Sequence, residues 1–399
     1  MDSLRHLMDD VVSASQLGVS LSRRLFLAGA ARAAKLLGMA SALGALTVCT
    51  RDEAAKGPKK EYVGGTAEAA TAIVSQSACD ELLFDFIPKF NPQAKYKAVF
   101  GHDSGPRGNN DVWGQYVQGR IHTMTKGEFS INIIGGGALG GGDAIAKSVR
   151  AGSVEICNAS GAILGGVLSP EFPLFDLPYL IKSWGHLMRV ALGSPYIKKM
   201  HEIGLSKGVQ VLTPFNGGLR HIFYRSTKPI LKPEDLKGVK LRTMNAPLDV
   251  DMWNAAGAQA TPLSYAEVYN ALAQGVVDGI DNTFDAATSI KVDEVVKSVT
   301  KTAHRYQLNY VIANNRWFQS LPKQYQGYFV QVVEEAAIYA TGYVMMNDEV
   351  RQPVQWAKKG IAIYEPDRKA FENSMMKVYS EFGPKVGGQE AIDAILKMQ

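Results

Sequence analysis

From residue 96 onward the apolar and polar positions switch repeatedly between two periods. Residues 96–100 (YKAVF) read as a strand that ends at Gly101-His102-Asp103-Ser104-Gly105. Trp113, Tyr116, Val117 and Ile121 then fall at helical spacing and stop before Gly127. Residues 129–134 alternate as a strand, 143–150 form a short helix with Asp143 as candidate cap, and 154–157 form a further strand. Residues 172–184 hold P-L-F-D-L-P-Y-L, an apolar loop punctuated by two prolines. Helices over 186–204 precede a strand at 209–213, and past Pro322 long helical segments cover 328–350 and 367–382. Alternation of strand and helix predicts an α/β fold around a doubly wound sheet. No internal repeat or low-complexity tract interrupts it.

A chain of 399 residues can build two domains, each with its own core. An apolar fraction of 46% and a charged fraction of 20% are those of an ordinary globular protein. The net charge of +5 is diffuse, and its clearest cluster (Arg23, Arg24, Arg32, Lys35) is N-terminal, so no basic stripe argues for nucleic acid. Three cysteines make no disulfide framework; they leave a Cys79–Cys157 bridge in an oxidising compartment or buried thiols.

The N-terminus reads as a targeting signal. Ser22-Arg23-Arg24-Leu25-Phe26-Leu27 fits the twin-arginine export pattern S-R-R-x-F-L. The apolar stretch 36–48 that follows is shorter than the roughly 20 residues a span needs and suits a signal h-region. Ala40-Ser41-Ala42 offers a small-x-small cleavage site. Leu46-Thr47-Val48-Cys49 resembles a lipobox, but the bulky Val48 counts against lipid anchoring at Cys49. Residues 1–49 are therefore set apart as a signal that sends the chain to the periplasm. Residues 50–93 contain a linker-like Lys56-Gly57-Pro58-Lys59-Lys60 and helical spacing over 68–90, and read as a linker or an extra helix.

Several motifs carry candidate chemistry. The run from Gly135 to Gly142 contains G-x-G-x-x-G between a strand and a helix, which suits a dinucleotide phosphate. The following helix is short, however, and Glu155 stands at the start of the next strand rather than its end. An exported NAD(P)-dependent oxidoreductase using residues 135–142 is the alternative function. Arg242 closes the short strand of Lys237-Gly238-Val239-Lys240-Leu241-Arg242. Its planar fork can meet a carboxylate with two hydrogen bonds, or it can pair with Asp249 or Asp251. Asn282 follows a Val-Asp-Gly turn and can both donate and accept, or serve only the turn. Ser264 and Glu267 form a capping-box pattern around Tyr265, which faces either a ligand or the core. Gly217-Gly218 implies a close backbone approach or a hinge. Asp278, Asp281 and Asp285 read as a polar surface flanking a helix rather than as paired acids. The seven histidines are scattered, with no H-E-x-x-H, no paired-cysteine metal spacing and no G-x-S-x-G. These features favour binding over catalysis.

As a whole, residues 238–282 resemble the solute-binding proteins of tripartite ATP-independent periplasmic (TRAP) transporters. Their pattern runs K-G-x-K-x-R, then G-A-x-x-T-P-x-x-F/Y-x-E-V-Y-x-A-L, then G-x-V-D-G-x-x-N. The likeness extends from about residue 96 to the C-terminus and includes N-N-R-W-F-Q-S-L-P at 314–322. It departs at Thr283, where the family usually has proline, and in the long stretch before the first strand. The resemblance implies a two-domain periplasmic-binding-protein fold with discontinuous domains, a hinge and a C-terminal helical region. Residues 94–217 with about 308–345 would form domain I, and 218–307 with about 346–399 domain II. It further implies no enzymatic activity and no cofactor. A small organic carboxylate would be caught in the interdomain cleft and delivered to the membrane subunits of a TRAP transporter. Residue by residue, Arg242 would clamp the carboxylate, and Arg220 of the N-G-x-R-like segment would touch the ligand or brace Arg242. Asn282 would reach the carboxylate or a neighbouring hydroxyl, Tyr265 would pack on the carbon skeleton and Asn245 would contact ligand. Asp103, Ser160 and Phe215 would line the cleft from the first domain. A ligand sensor using the same clamp without transport is a second alternative. C4-dicarboxylate, sugar acid, hydroxy acid and 2-oxo acid all remain open as the ligand.

Overall fold

A computed structural model describes residues 87–399. The signal-like segment, Cys49, Cys79 and most of 50–93 lie outside the described residues. Among those described, nine strands share one sheet: β1 (Tyr96–Gly101), β2 (Phe129–Ile134), β3 (Ile156–Ser160), β4 (Val209–Tyr224), β5 (Lys240–Thr243), β6 (Gln259–Pro262), β7 (Gly279–Asn282), β8 (Ser298–Asn314) and β9 (Ala362–Tyr364). The order is β2-β1-β3-β8-β4-β7-β5-β6, with β9 beside β8. Strand β1 pairs parallel with β2 and β3, and β5 pairs parallel with β6 and β7. These two parallel wings are joined through β8 and β4, which run antiparallel to each other and to their neighbours β3 and β7. The sheet is thus mixed rather than wholly parallel.

The joining strands are 16 and 17 residues long, and each passes from one wing to the other. Strand β3 pairs with residues 309–313 of β8, whereas β7 pairs with 221–224 of β4. Sequence pattern ends the fourth strand at 213 and reads Gly217-Gly218 as a close backbone approach or a hinge. The chain instead continues as a strand through three register shifts, between Leu212/Phe215, Asn216/Gly218 and Arg220/Ile222. Bulges bend a strand and raise its twist, which is what a strand shared by two lobes requires.

Gly218 sits at the centre of this bend with φ 113°. A Cβ there would stand 2.4 Å from Thr283 Cγ2 and 2.6 Å from Asp348 Oδ2. The same Asp348 carboxylate accepts the Leu219 N–H at 2.9 Å and the Asp285 N–H at 2.8 Å. Asp285 in turn accepts from the Asn109 N–H (2.8 Å) and the Asn347 amide (2.6 Å). Two buried carboxylates therefore staple the bend to three other segments, so Asp285 belongs to the interior and not to a polar surface. Burial raises the Asp285 pKa to about 6 despite these donors.

Helices cover the sheet. α1 (Asn109–Met124) follows β1 and buries Val112, Trp113, Val117 and Ile121 on one stripe. α2 (Gly142–Ala151) follows β2. The helical run of 186–204 is two helices, Trp184–Gly193 and Pro195–Ser206, split where Ser194 caps the second and Pro195 opens it. The segment predicted as one helix over 328–350 starts earlier, at Lys323, and ends at Met346. It then passes into a π-helical turn, Asn347–Arg351, which supplies Asp348 to the bend. Under these helices Phe100, Trp113, Phe215 and Phe329 share one apolar cluster, and Phe223, Phe284 and Trp356 share another. The second trio packs edge to face with ring centroids 5.0–5.4 Å apart. His186 Nδ1 accepts the Lys182 N–H, so its Nε2–H donates to the Ile395 carbonyl at 2.8 Å and ties down the C-terminal helix.

Gly218→Ala should lower stability by about 1–3 kcal/mol, because the added methyl is both strained and overpacked. Gly327→Ala has nothing within 4 Å of the new Cβ and should leave stability equal or higher. Urea midpoints of the two variants test this; equal midpoints would mean that the bend tolerates a side chain.

Candidate functional site

Both parallel wings end where the long strands cross, and a cleft opens there. Its walls are the ends of β1 (Asp103, Ser104) and β3 (Asn158, Ser160) on one side. Facing them are the ends of β5 (Arg242, Asn245) and β7 (Asn282), with Leu263, Ser264 and Tyr265. The crossing strands supply the floor through Gly217, Arg220, Gln307 and Asn309. The cleft holds about 720 Å³ of non-atom space, open solvent at its mouth included. In α/β sheets ligands bind in crevices beyond the carboxyl ends of parallel strands, where the topology reverses.

Beneath the floor lies a buried charge network centred on Asp281. Its carboxylate accepts two bonds from Arg220, from Nε and Nη2, both at 3.0 Å. Nη2 also reaches the Asp281 carbonyl at 2.7 Å, and Nη1 donates to Gln307 Oε1 at 2.5 Å. His304 Nε2 stands 3.2 Å from the same carboxylate, and Arg305 Nη2 3.8 Å. Arg305 pairs mainly with Asp249 (2.5 Å) and approaches Asp176 at 3.8 Å. Asp281 is therefore fully buried rather than part of a polar surface, and Asp249 serves Arg305 rather than Arg242. Burial would raise the Asp281 pKa, but Arg220 and His304 outweigh it and hold the carboxyl well below the usual range. Burial pushes His304 down to about 4, so the ring is neutral at pH 7; its Nε2–H donates to Asp281 while Nδ1 accepts from Thr302. Asp176 moves the other way. Burial raises it to about 7 against the pull of Arg305.

Arg242 stands apart from this network. It is 3% exposed, and both Nε and Nη2 donate to the Leu263 carbonyl, at 2.9 and 2.7 Å. Among the described residues no carboxylate lies within 4.0 Å of it, and Nη1 has no protein acceptor. Burial lowers its pKa, and the charge of Asp281 opposes that shift. The guanidinium lies 5.6 Å from the centre of the Tyr265 ring. That ring is fixed by its hydroxyl, which donates to the Ala286 carbonyl (2.8 Å) and accepts from Asn282 Nδ2 (3.2 Å). Asn282 Oδ1 takes the Thr283 N–H. The capping box expected around Tyr265 does not form: Tyr265–Glu267 is a single 3₁₀ turn, and Ser264 makes no cap bond.

Seven of the eight residues singled out from sequence meet at the cleft: Arg242, Asn282, Arg220, Tyr265, Asn245, Asp103 and Ser160. Asn245 is exposed at the rim. Ser160 accepts the Ile163 N–H and lies 3.8 Å from the Met244 sulfur. Phe215 does not join them. It occupies the core side of β4, 1% exposed, with its ring stacked on Trp113 at 6.1 Å. Asp103 Oδ2 accepts the Gly142 N–H at 3.0 Å, so a carboxylate of the protein already occupies the start of α2 where a dinucleotide phosphate would sit. Asp143 does not cap that helix; it pairs with Lys147.

Sequence reading missed Asn109, Asn110, Asn158, Gln307 and Asn309. Gln307 Nε2 donates to Asn309 Oδ1 (2.7 Å) and Asn309 Nδ2 to Asn110 Oδ1 (3.2 Å), extending a polar chain from Arg220 along the floor. Asn158 is 5% exposed, and both atoms of its amide lack a partner among the described residues. The available signal was Gln307 and Asn309 at alternate positions just before the apolar run 310–313 of β8. Only the pairing of β8 with β3 and β4 shows where it faces.

Comparison with known proteins agrees with the fold. The family described as bacterial extracellular solute-binding protein, family 7, matches residues 111–385. The 2,3-diketo-L-gulonate-binding periplasmic protein YiaO of Escherichia coli (strain K12) is 28% identical over 279 residues, 69% of this chain and 83% of its own. Two solved structures of TRAP periplasmic solute-binding proteins are each 26% identical. That from Polaromonas sp. JS666, bound to D-erythronate, has a TM-score of 0.71 and covers 75% of this chain and 98% of its own. That from Sulfurospirillum deleyianum DSM 6946, with bound succinate, has a TM-score of 0.72 and covers 77% and 100%.

The buried network predicts a pH signature. Between pH 4 and 7 folded Asp176 holds more proton than it does unfolded, so its contribution to stability is present at pH 4 and lost as pH rises to 7. His304 has the opposite sign, its contribution growing from pH 4 to about 6.5. Asp176→Asn removes only the first effect. The variant should therefore gain about 1–3 kcal/mol on the parent between pH 4 and 7.5. Urea unfolding at both pH values measures the gain, and a pH-independent difference would remove Asp176 from the titrating set.

Proposed function

Because the chain belongs to the bacterial extracellular solute-binding protein family 7, we propose that it is an extracytoplasmic protein that captures a small organic carboxylate and passes it to the membrane subunits of a TRAP transporter. Its family and structural neighbours are binding proteins, not enzymes. The observation that carries the ligand class is Arg242, a buried guanidinium in the cleft wall with no carboxylate of its own among the described residues. An unpaired buried charge is costly, and a ligand carboxylate is the partner that offsets it. Leu263 and Tyr265 hold the guanidinium in place, so little rotamer freedom is lost on binding. Arg220 is the brace: bound to Asp281 and Gln307, it fixes the floor and leaves Arg242 as the cation for the ligand.

The two wings form the two lobes. We divide them as residues 94–217 with about 308–345, and 218–307 with about 346–399, hinged at the bent strands. Closure of the lobes over the ligand would dry the cleft and strengthen the bonds to Arg242. The twin-arginine pattern at Ser22-Arg23-Arg24 assigns the export route to the periplasm.

A thermal-shift screen of the protein from residue 50 onward, against organic acids and NAD(P)H, tests this reading. Stabilisation by one or a few carboxylates is the expected result. Stabilisation by NAD(P)H alone would favour the oxidoreductase alternative. Arg242→Ala should stay folded and lose about 3–5 kcal/mol of ligand affinity. A folded variant that binds as tightly as the parent would refute the clamp.

A further inference from the structure

We propose that the cleft is selective for hydroxylated monocarboxylates, with Asp103 turning away a second carboxylate and Asn158 reading a hydroxyl. This rests on the carboxylate clamp at Arg242.

The charges lining the cleft give the first argument. Two guanidinia reach it, but Arg220 is already met by both oxygens of Asp281. That leaves Arg242 for one carboxylate. Of the two lining carboxylates, Asp143 has Lys147 at 3.2 Å, whereas Asp103 has no Lys or Arg within 4.0 Å among the described residues. Asp103 follows β1 in one wing, and Arg242 lies one residue before the end of β5 in the other. A ligand gripped at Arg242 and spanning the cleft therefore extends toward Asp103. A carboxylate at that end would face a like charge in a poorly solvated space, with no second cation to receive it. A hydroxyl would donate to Asp103 instead, while the Gly142 N–H continues to hold Oδ2.

Asn158 gives an independent second argument. Its side chain lines the cleft from β3, is 5% exposed, and has both Oδ1 and Nδ2 unpartnered among the described residues. A buried amide with neither atom bonded is costly and rare. A ligand hydroxyl both donates and accepts, and so satisfies either atom; a methylene satisfies neither. The amides of Gln307 and Asn309 continue the same surface along the floor.

Isothermal titration with acids matched in length decides the matter. Erythronate, succinate and butyrate form the four-carbon set; gluconate, galactarate and hexanoate form the six-carbon set. In the parent, the hydroxylated monocarboxylate of at least one set should bind about 100-fold or more tighter than its diacid and its bare acid. Asp103→Asn keeps an acceptor for Gly142 and should shrink the preference over the diacid by about tenfold, mainly by improving the diacid. Asn158→Ala should weaken the hydroxylated acid about tenfold more than the bare acid. Melting curves of both variants establish that they are folded. If the parent prefers a diacid, or if folded Asp103→Asn leaves the ratio unchanged, the selectivity proposal fails while the Arg242 clamp stands. If folded Asn158→Ala weakens hydroxylated and bare acids equally, the hydroxyl-reading role fails. If no acid of either set binds the parent, the carboxylate reading fails with it.

Discussion

The bidentate bond between Arg220 and Asp281 is the interaction on which the cleft depends. It joins β4 to β7 at the point where the long strands change wings, and β8 adds His304 and Arg305 to the same carboxylate. Taking these charges out of water costs free energy, and leaving any one of them without its partner would cost more. The cluster therefore holds together as a unit and fixes the crossing angle of three strands. It also separates the two guanidinia of the cleft: Arg220 is held by Asp281, whereas among the described residues no carboxylate lies within 4.0 Å of Arg242.

A related arrangement governs the bend. Backbone N–H groups that an unbroken ladder would pair are here met by side chains: Leu219 donates to Asp348 of the π-helical turn, Gly218 to Asn216 and Asn216 to Thr341. Side-chain acceptors let the two strands stay continuous while their ladder is broken three times. A hinge made from bent strands moves as a twist shared along their length, whereas a hinge made from loops moves at points.

Local elements could be read from the pattern because they depend on neighbours in sequence. The stripe of Trp113, Tyr116, Val117 and Ile121 defines α1, and the alternation at 129–134 defines β2. The length of β4 could not be read, since Asn216-Gly217-Gly218 has the chemistry of a turn and only the facing strand makes it a bulge. Asp281 looked like a surface residue because its partners stand 61 and 23 residues away in sequence. Recognisable motifs pointed to Arg242, Asn282 and Tyr265. Asn158, by contrast, carries no motif: it lies in a short strand of buried residues, and what it faces follows only from sheet order. The resemblance implies a cleft position for Phe215, but it sits between two register shifts of β4 and its ring stacks on Trp113 in the core.

The sheet order has a consequence for how the protein is made. Strand β3 is complete by Ser160, yet the chain that covers its free edge is residues 309–313. The other wing leans on β4, whose partner across residues 218–224 is the first half of β8. While the ribosome is still short of β8, both halves expose unpaired backbone, the kind of edge on which chains stick to one another. Neither of these edges is covered until residues 298–314 have been made, so the strand that joins the wings is also the one that closes both.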